Sequence, residues 1–401
     1  MPAARTPEQH RLTAQLRTYF AALMTPERRE GLHPRAGAEG DYGDGEAYRD
    51  TVAQLGADGW LVLNWPVEHG GQGRGALEQL IFTEEAARAG VPVPFLTLNT
   101  VGPTIMRFGT PQQRAHFLPR IAAGRLHFSI GYSEPEAGTD LAALRTRADR
   151  DGDDYVVNGQ KLWTSLIQYA DYVWLACRTA PDAPKHRGLS VLAVPTTAPG
   201  FSWTPVRTLP GLTTSATYYQ DVRVPVSARV GPEHDGWSLI TNQLNHERVS
   251  LTPSAPLEQL VDDVTAWARA TPGPGRAGPR RVIDAEWVQL HLARARAEVD
   301  VLRLMNEDVA ARADRGEPLG PAEASITKVY GTELAPRVLR LLMEVLGPAA
   351  IVRDGSPGAA LAGRVERTHR SALVLTFGGG TNEVQRDLIA ATALRLPVGA
   401  R

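Results

Sequence analysis

The chain has 401 residues, and its 43 Lys plus Arg against 44 Asp plus Glu leave a formal net charge of −1. That balance gives no electrostatic reason to expect a nucleic acid or an acidic membrane surface as partner, and the length suffices for two or three domains with a core and a ligand cavity. A single cysteine, Cys177, excludes an intrachain disulfide and a cysteine-based metal centre, so a metal-free fold is expected. Its place in the apolar run from Tyr172 marks it as a small core residue rather than a nucleophile. No apolar run approaches membrane-spanning length, and Met-Pro-Ala-Ala-Arg-Thr-Pro-Glu lacks an apolar core followed by a cleavage site. The expected location is therefore the cytoplasm.

From Pro7 to about Gly124 the signals are helical. Thr6-Pro7-Glu8 and Thr110-Pro111-Gln112-Gln113 read as cap, first-turn proline and polar first turn, and further helices are expected over Glu46–Asp58, Ala76–Arg88, Leu98–Phe108 and Pro111–Ala122. Trp65 to Gly73 is too glycine-rich for a helix. Glu68 and His69 within it read as turn residues beside a packed Trp65.

Around Phe128 the period changes to alternation. Strands are expected at Tyr155–Val157, Tyr172–Arg178, Leu189–Val194, Phe201–Val206 and Thr217–Val224, separated by Gly, Pro, Asn and Asp. Short strands with no helices between them imply an antiparallel sheet packed as a small barrel or sandwich.

From Gly236 the helical period returns. A first helix carries Glu247 and continues toward Ala270, and Thr271–Arg280 is a Pro/Gly-rich linker. A second helix spans about Val282 to Arg315, with Ile283, Trp287, Leu290, Ala297, Val301 and Leu304 on one stripe. A third runs from about Ala322 to Leu346, where Pro336 should kink or restart it. The fold class is thus α+β, with an N-terminal helical domain (1–127), a middle β domain (128–237) and a C-terminal helical bundle (238–401). No internal repeat is evident.

One carboxylate breaks the pattern. Ile240, Leu244 and Leu251 share a helical stripe whose remaining place is Glu247. A carboxylate at a core position must be paired, protonated or turned to a cavity, and in a cavity its raised pKa suits a general base. The plain alternative is that the stripe ends at Leu244, leaving Glu247 solvated or paired with Arg248.

Three glycine-containing stretches offer ligand chemistry, although by spacing alone each reads equally as an ordinary turn or connector. Gly131 to Asp140 offers hydroxyls and backbone amides in a constrained turn, and Asn158 to Ser165 places an indole two residues from a hydroxyl. Phe377-Gly-Gly-Gly-Thr-Asn-Glu-Val-Gln-Arg386 lets backbone approach a ligand, and Thr381 caps the following helix, whose N-terminus favours an anion or enolate oxygen.

Together these residues resemble the acyl-CoA dehydrogenase family. The likeness rests on Tyr132-Ser-Glu-Pro-Glu-Ala-Gly-Thr-Asp140, Asn158-Gly-Gln-Lys-x-Trp163, Gln220-Asp-Val-Arg-Val-Pro225 and Gly380-Thr-Asn-Glu-Val-Gln-Arg386, in the family's order and spacing, and runs from about residue 10 to 395. It implies FAD as cofactor. Tyr132, Ser133, Gly138 and Thr139 would line the flavin and pantetheine path. Trp163 would pack on the isoalloxazine, Ser165 would bond near its reactive edge, and Gly380, Thr381 and Glu383 would complete the cofactor contacts. Thr139 and Arg248 would contact substrate. The implied reaction is α,β-dehydrogenation of an acyl-CoA, with the β hydrogen leaving as hydride to flavin N5 and the electrons passing on to an electron-transfer flavoprotein.

Many members carry the catalytic Glu just before the Gly-Thr of the last motif, where this chain has Gly379. A second group keeps its base on the first C-terminal helix before an Arg, which Glu247-Arg248 matches. Glu247 is therefore the expected base, and Gly379 contributes a backbone N–H to the thioester oxygen. The family's Arg-x-x-Phe-Gly loop is replaced by Thr271 to Pro279, and its Gln-x-x-Gly-Gly by Glu344-Val-Leu-Gly-Pro348. Both losses concern what one subunit lends another, so the expected assembly is an α2β2 tetramer with a related subunit and fewer flavins than chains. Leu244-Asn-His-Glu-Arg248 and Phe377-Gly-Gly-Gly380 are similar to actinobacterial members acting on steroid side-chain thioesters, which implies a bulky, branched acyl group. The alternatives are an acyl-CoA oxidase, a catalytically silent partner subunit and a flavin hydroxylase on the same scaffold.

Overall fold

A computed structural model describes residues 5–33, 42, 45–209, 213–250, 252–273, 280–317 and 320–397, with only the backbone described for 244–250. Among the described residues six helices open the chain: α1 (Pro7–Leu23), α2 (Pro26–Gly31), α3 (Glu46–Ala57), α4 (Ala76–Ala89), α5 (Gly102–Phe108) and α6 (Pro111–Ala122). The two Thr-Pro starts close as reciprocal capping boxes. The Gln9 amide N–H donates to Thr6 Oγ1 at 3.2 Å while Gln9 Oε1 accepts from the Thr6 N–H at 3.0 Å, and Gln113 and Thr110 repeat the exchange at the same distances. The expected helix from Leu98 instead begins as a π turn, Thr97–Val101, because Pro103 withholds an N–H from the ladder. Glycine explains the loop after Trp65: a Cβ on Gly71 would lie 2.0 Å from the Trp65 carbonyl oxygen, so the chain folds directly over that residue.

The described residues of the middle segment hold eight strands: β1 (Phe128–Gly131), β2 (Arg147–Asp151), β3 (Asp154–Lys161), β4 (Tyr172–Arg178), β5 (Leu189–Pro195), β6 (Phe201–Arg207), β7 (Thr213–Pro225) and β8 (Arg229–Val230). They run in the order β6-β7-β3-β2-β4-β5-β8, with β1 beside β4. The pairing is mostly antiparallel and departs from the expected pattern at β1, which runs parallel to β4 from Phe128↔Tyr172 to Gly131↔Leu175, and at β2, which meets β4 in parallel at Arg147↔Arg178. The β2–β3 hairpin lies between these strands in sequence and makes the long crossover a parallel pair requires. β3 runs past the expected Tyr155–Val157 to take in Asn158–Lys161, and a bulge at Val157/Gly159 redirects it. The core of the sheet includes Tyr155, Val157, Val173, Leu175, Leu192 and Val222, and buries Cys177. Burial pushes the Cys177 thiol up to about 12, in keeping with a core residue.

Among the described residues six helices close the chain: α7 (Gly236–Ser250), α8 (Ala255–Ala270), α9 (Glu286–Asp314), α10 (Pro321–Leu346), α11 (Arg364–Ala372) and α12 (Asn382–Thr392). The helix expected from Glu247 to Ala270 is two, α7 and α8, separated at Pro253. Buried Glu84 caps α8, accepting from the amides of Ser254 and Ala255 at 2.9 and 2.6 Å. Pro336 lies inside α10 without interrupting it, since Leu334, Ala335, Val338 and Leu339 around it are all buried in the bundle core. The stripe expected for α9 is corrected: Trp287, Leu290, Ala297, Val301 and Leu304 face outward, and the buried face is Val288, Leu292, Ala295, Val299 and Leu302. Both rows are apolar at helical spacing, so periodicity alone cannot choose between them.

The chain packs as two compact units, one of Met1–Arg17, Leu80–Gly90 and Arg248–Arg401, the other of Thr18–Gln79 and Val91–Glu247. No helix among the described residues is long and apolar enough to cross a membrane.

Candidate active site

In the unit that contains the sheet, β1 delivers the chain into the loop of Tyr132, Ser133, Gly138 and Thr139. The loop is held from inside by a buried ion pair. Glu134 accepts from the amides of Arg145 and Thr146 at 2.7 and 2.8 Å and from Lys161 Nζ at 2.8 Å, and Lys161 Nζ also donates to the Tyr132 carbonyl at 3.0 Å. Burial pushes the Glu134 carboxyl up, but Lys161 and the hydrogen bonds outweigh it and hold the group below its ordinary value. Burial lowers the Lys161 pKa, offset in part by Glu134. Sequence reasoning passed over both residues, although Lys161 sits on the inward register counted in twos from Tyr155.

The second motif is fastened to the first, because the Leu162 N–H donates to the Ser133 carbonyl at 2.8 Å. Trp163 then takes a left-handed backbone, φ 65°, while its indole is 56% exposed. A non-glycine residue there costs roughly 1–2 kcal/mol and an exposed indole returns little burial, which marks a functional constraint. The strain is held in place by the next residue, whose N–H donates to the Ser215 carbonyl at 2.9 Å. Ser165 Oγ pairs with Thr214 Oγ1 at 3.1 Å, and the Ser165 carbonyl accepts from Ser129 Oγ at 2.9 Å. Gly138 and Thr139 are exposed, and a Cβ added to Gly138 would meet nothing within 4 Å, so nothing in this fold demands glycine there. Another residue that sequence reasoning missed is Gln243 on α7, which is buried, accepts from the Tyr132 hydroxyl and, at 3.4 Å, from the Trp174 indole.

In the other unit the triple glycine joins a short 3-10 turn, Leu373–Thr376, to α12. Gly379 and Gly380 adopt φ of 67° and 89°, the left-handed region that glycine enters without strain. Thr381 caps α12, accepting from the Val384 N–H at 3.3 Å, as expected. Glu383 in its first turn is exposed. Beneath the loop lies Lys328, fully buried. Glu247, the last residue of the unit that contains the sheet, and Arg248, the first of a segment of the other, stand on the described backbone of α7, but their side chains lie outside the described residues. The loops of Tyr132 and Trp163 and the triple-glycine loop are each assembled within a single unit.

Three family models match in succession: the acyl-CoA dehydrogenase N-terminal domain over residues 6–125, the middle domain over 129–222 and the C-terminal domain over 234–394. The chain belongs to the acyl-CoA dehydrogenase family. It has the family's N-terminal helical, middle β-sheet and C-terminal helical domains. This acyl-CoA dehydrogenase is 63% identical over 402 residues to acyl-CoA dehydrogenase FadE26 of Mycobacterium tuberculosis, with 99% of each covered. It is 48% identical to FadE29 of the same organism, with 98% of each covered. Among solved structures it is similar to a chain of the ChsE4-ChsE5 complex from Mycobacterium tuberculosis at 63% identity and TM-score 0.91, with both chains fully covered at 100%. It is also similar to a chain of the Tcur3481-Tcur3483 steroid ACAD at 47% identity and TM-score 0.91, again with 100% of both.

The FAD that the family implies fits the residues present. Trp163 offers an exposed, strained indole, and a Cβ at Gly138 would meet nothing within 4 Å. Ser165, Tyr132 and Ser133 lie in the loops that flank these positions.

Proposed function

We propose that this dehydrogenase carries out α,β-dehydrogenation of a bulky, branched or steroid side-chain acyl-CoA. FAD, when bound, supplies the two-electron acceptor for the hydrogen lost from the β carbon. Glu247 removes the α proton, and the Gly379 backbone N–H polarises the thioester carbonyl, an interaction of a kind typically worth about 2.7 to 4 kcal/mol in the transition state. That polarisation also acidifies the α proton enough for a carboxylate to remove it. Tyr132, Ser133, Gly138, Thr139, Trp163 and Ser165 hold the flavin, with Gly380, Thr381 and Glu383 completing its contacts, and Thr139 and Arg248 bind the CoA thioester. The observation that carries the reading is Trp163, whose exposed indole on a left-handed backbone serves a ligand rather than the core.

Two further readings rest on similarity. The steroid-type substrate is supported by the likeness to a steroid ACAD, and Gly379 leaves room for a branch beside the α carbon. A related dehydrogenase subunit as partner is supported by the likeness to a chain of the ChsE4-ChsE5 complex and by the outward apolar row of α9, which would otherwise face water. Electrons pass from the complex to an electron-transfer flavoprotein. The test is co-expression with the genomic neighbour, followed by native mass, flavin content and product mass. An α2β2 assembly with fewer flavins than chains, forming an enoyl-CoA from a branched steroid-type acyl-CoA, is expected. A homotetramer with one FAD per chain would overturn the partner reading, and unchanged acyl-CoA would overturn the activity.

A further inference from the structure

The ammonium of Lys328 sits fully buried on α10 beneath the triple-glycine loop. It donates to the Thr376 carbonyl at 3.1 Å, the Gly380 carbonyl at 2.9 Å and Asn382 Oδ1 at 2.7 Å. Among the described contacts these three acceptors converge on an ammonium group that carries three N–H donors. Asn382 is fixed in turn: its Oδ1 also accepts from Thr332 Oγ1 at 3.1 Å, and its Nδ2 donates to Glu333 at 3.1 Å. Alongside, Gln385 Nε2 donates to the Gly379 carbonyl at 3.3 Å, and Ser325 Oγ donates to Gln385 Oε1 at 2.8 Å. The loop's carbonyls at 376, 379 and 380 are therefore drawn to side chains of α10 and α12.

Glycine has the widest choice of backbone conformations, so a run of three would lose most entropy on being fixed. A purely structural connector would not need three of its carbonyls gripped by buried donors. We propose that Lys328 is a positioning residue for the reaction: by anchoring the carbonyls on either side of Gly379 it sets the direction of that residue's N–H toward a thioester oxygen, and its buried charge favours the negative charge that develops there. This rests on the reading of Gly379 given above. Charge placed in advance in a site of low dielectric acts without reorganisation during the reaction.

The test uses the assembled holoenzyme and a carbon-13 carbonyl-labelled, branched 3-thiaacyl-CoA, whose α proton can be removed but whose sulfur at the β position cannot give up hydrogen. Isotope-edited infrared spectroscopy reads the carbonyl stretch, and steady-state assays with an oxidisable acyl-CoA give kcat and KM. Wild type should lower the bound carbonyl frequency relative to free ligand. Lys328→Met keeps the stem and removes the donors. It should lose most of that lowering, with kcat reduced about tenfold or more and KM little changed, at unaltered flavin content. Gln385→Met, which releases the Gly379 carbonyl but leaves the ammonium, should give a smaller loss in the same direction. A wild-type carbonyl frequency and kcat in Lys328→Met would overturn the proposal. If that variant fails to fold or assemble, an unchanged frequency in Gln385→Met overturns it instead. If wild type itself neither lowers the frequency nor turns over acyl-CoA, the activity reading fails first and this proposal falls with it.

Discussion

Replacing Lys161 by Met tests whether the flavin loop is held by its buried ion pair. The substitution preserves the stem but removes the bonds to Glu134 at 2.8 Å and to the Tyr132 carbonyl at 3.0 Å. Breaking a buried pair by removing one partner costs about 3–5 kcal/mol, because the other charge stays behind. Here Glu134 keeps two backbone amides, and the cost of burying the Lys161 ammonium disappears, so about 3 kcal/mol is expected. The double variant Lys161→Met/Glu134→Gln should lose less than the sum of the singles, with a coupling of about 0.5–3 kcal/mol. Urea denaturation of the apoprotein gives the stability, and FAD titration shows whether loop order and cofactor affinity fall together. The pH dependence has a definite sign. With its folded pKa held below the ordinary 4.5, Glu134 stabilises fully above pH 4.5, and that contribution is lost as pH falls through the lower folded value. Glu134→Gln should flatten this acid limb. A Lys161→Met variant within about 0.5 kcal/mol of wild type, in the range of a surface change, would refute the argument.

Trp163→Gly should leave apoprotein stability unchanged or raise it by about 1 kcal/mol, because it relieves a left-handed residue and removes little burial. The same change should weaken FAD binding by about three- to tenfold through the lost ring contact, measurable by flavin fluorescence; unchanged or tighter FAD binding without the indole would contradict its role. On α9, Val301→Glu introduces a charge at a position that is 44% exposed, so the free chain should change by no more than about 0.5 kcal/mol. Co-purification of the related subunit should nevertheless be lost, and retention would show that the partner docks elsewhere.

Much of the fold was legible where one signal dominated. The Thr-Pro-x-Gln starts at Thr6 and Thr110 form the capping boxes their spacing implies. Strands β4 to β7 appear where alternation or an apolar run is strong. β2 was missed because it reads Arg-Ala-Asp-Arg-Asp, and only its pairing with β3 makes it a strand. The α9 stripe was misassigned because that helix is apolar on two faces and only tertiary packing decides which one enters the core.

The loops of the site were visible as motifs, but the residues that hold them were not. Lys161 and Lys328 each interrupt an otherwise inward register, the same kind of irregularity that drew attention to Glu247. A lysine there was easy to read as a solvated end rather than a buried ammonium. The strain at Trp163 was illegible, since no propensity rule places tryptophan in the left-handed region and the fold around it must impose that conformation.

The most direct test of the central claim is anaerobic bleaching of the flavin absorbance by a branched, steroid-type acyl-CoA, comparing wild type with Glu247→Gln, each assembled with its co-expressed neighbour. The account predicts rapid bleaching in wild type and, in a variant that retains FAD, a rate lower by about 100-fold or more, as for loss of a general base. Equal bleaching in the two proteins would contradict the assignment of Glu247 and place the base elsewhere in the chain or in its partner.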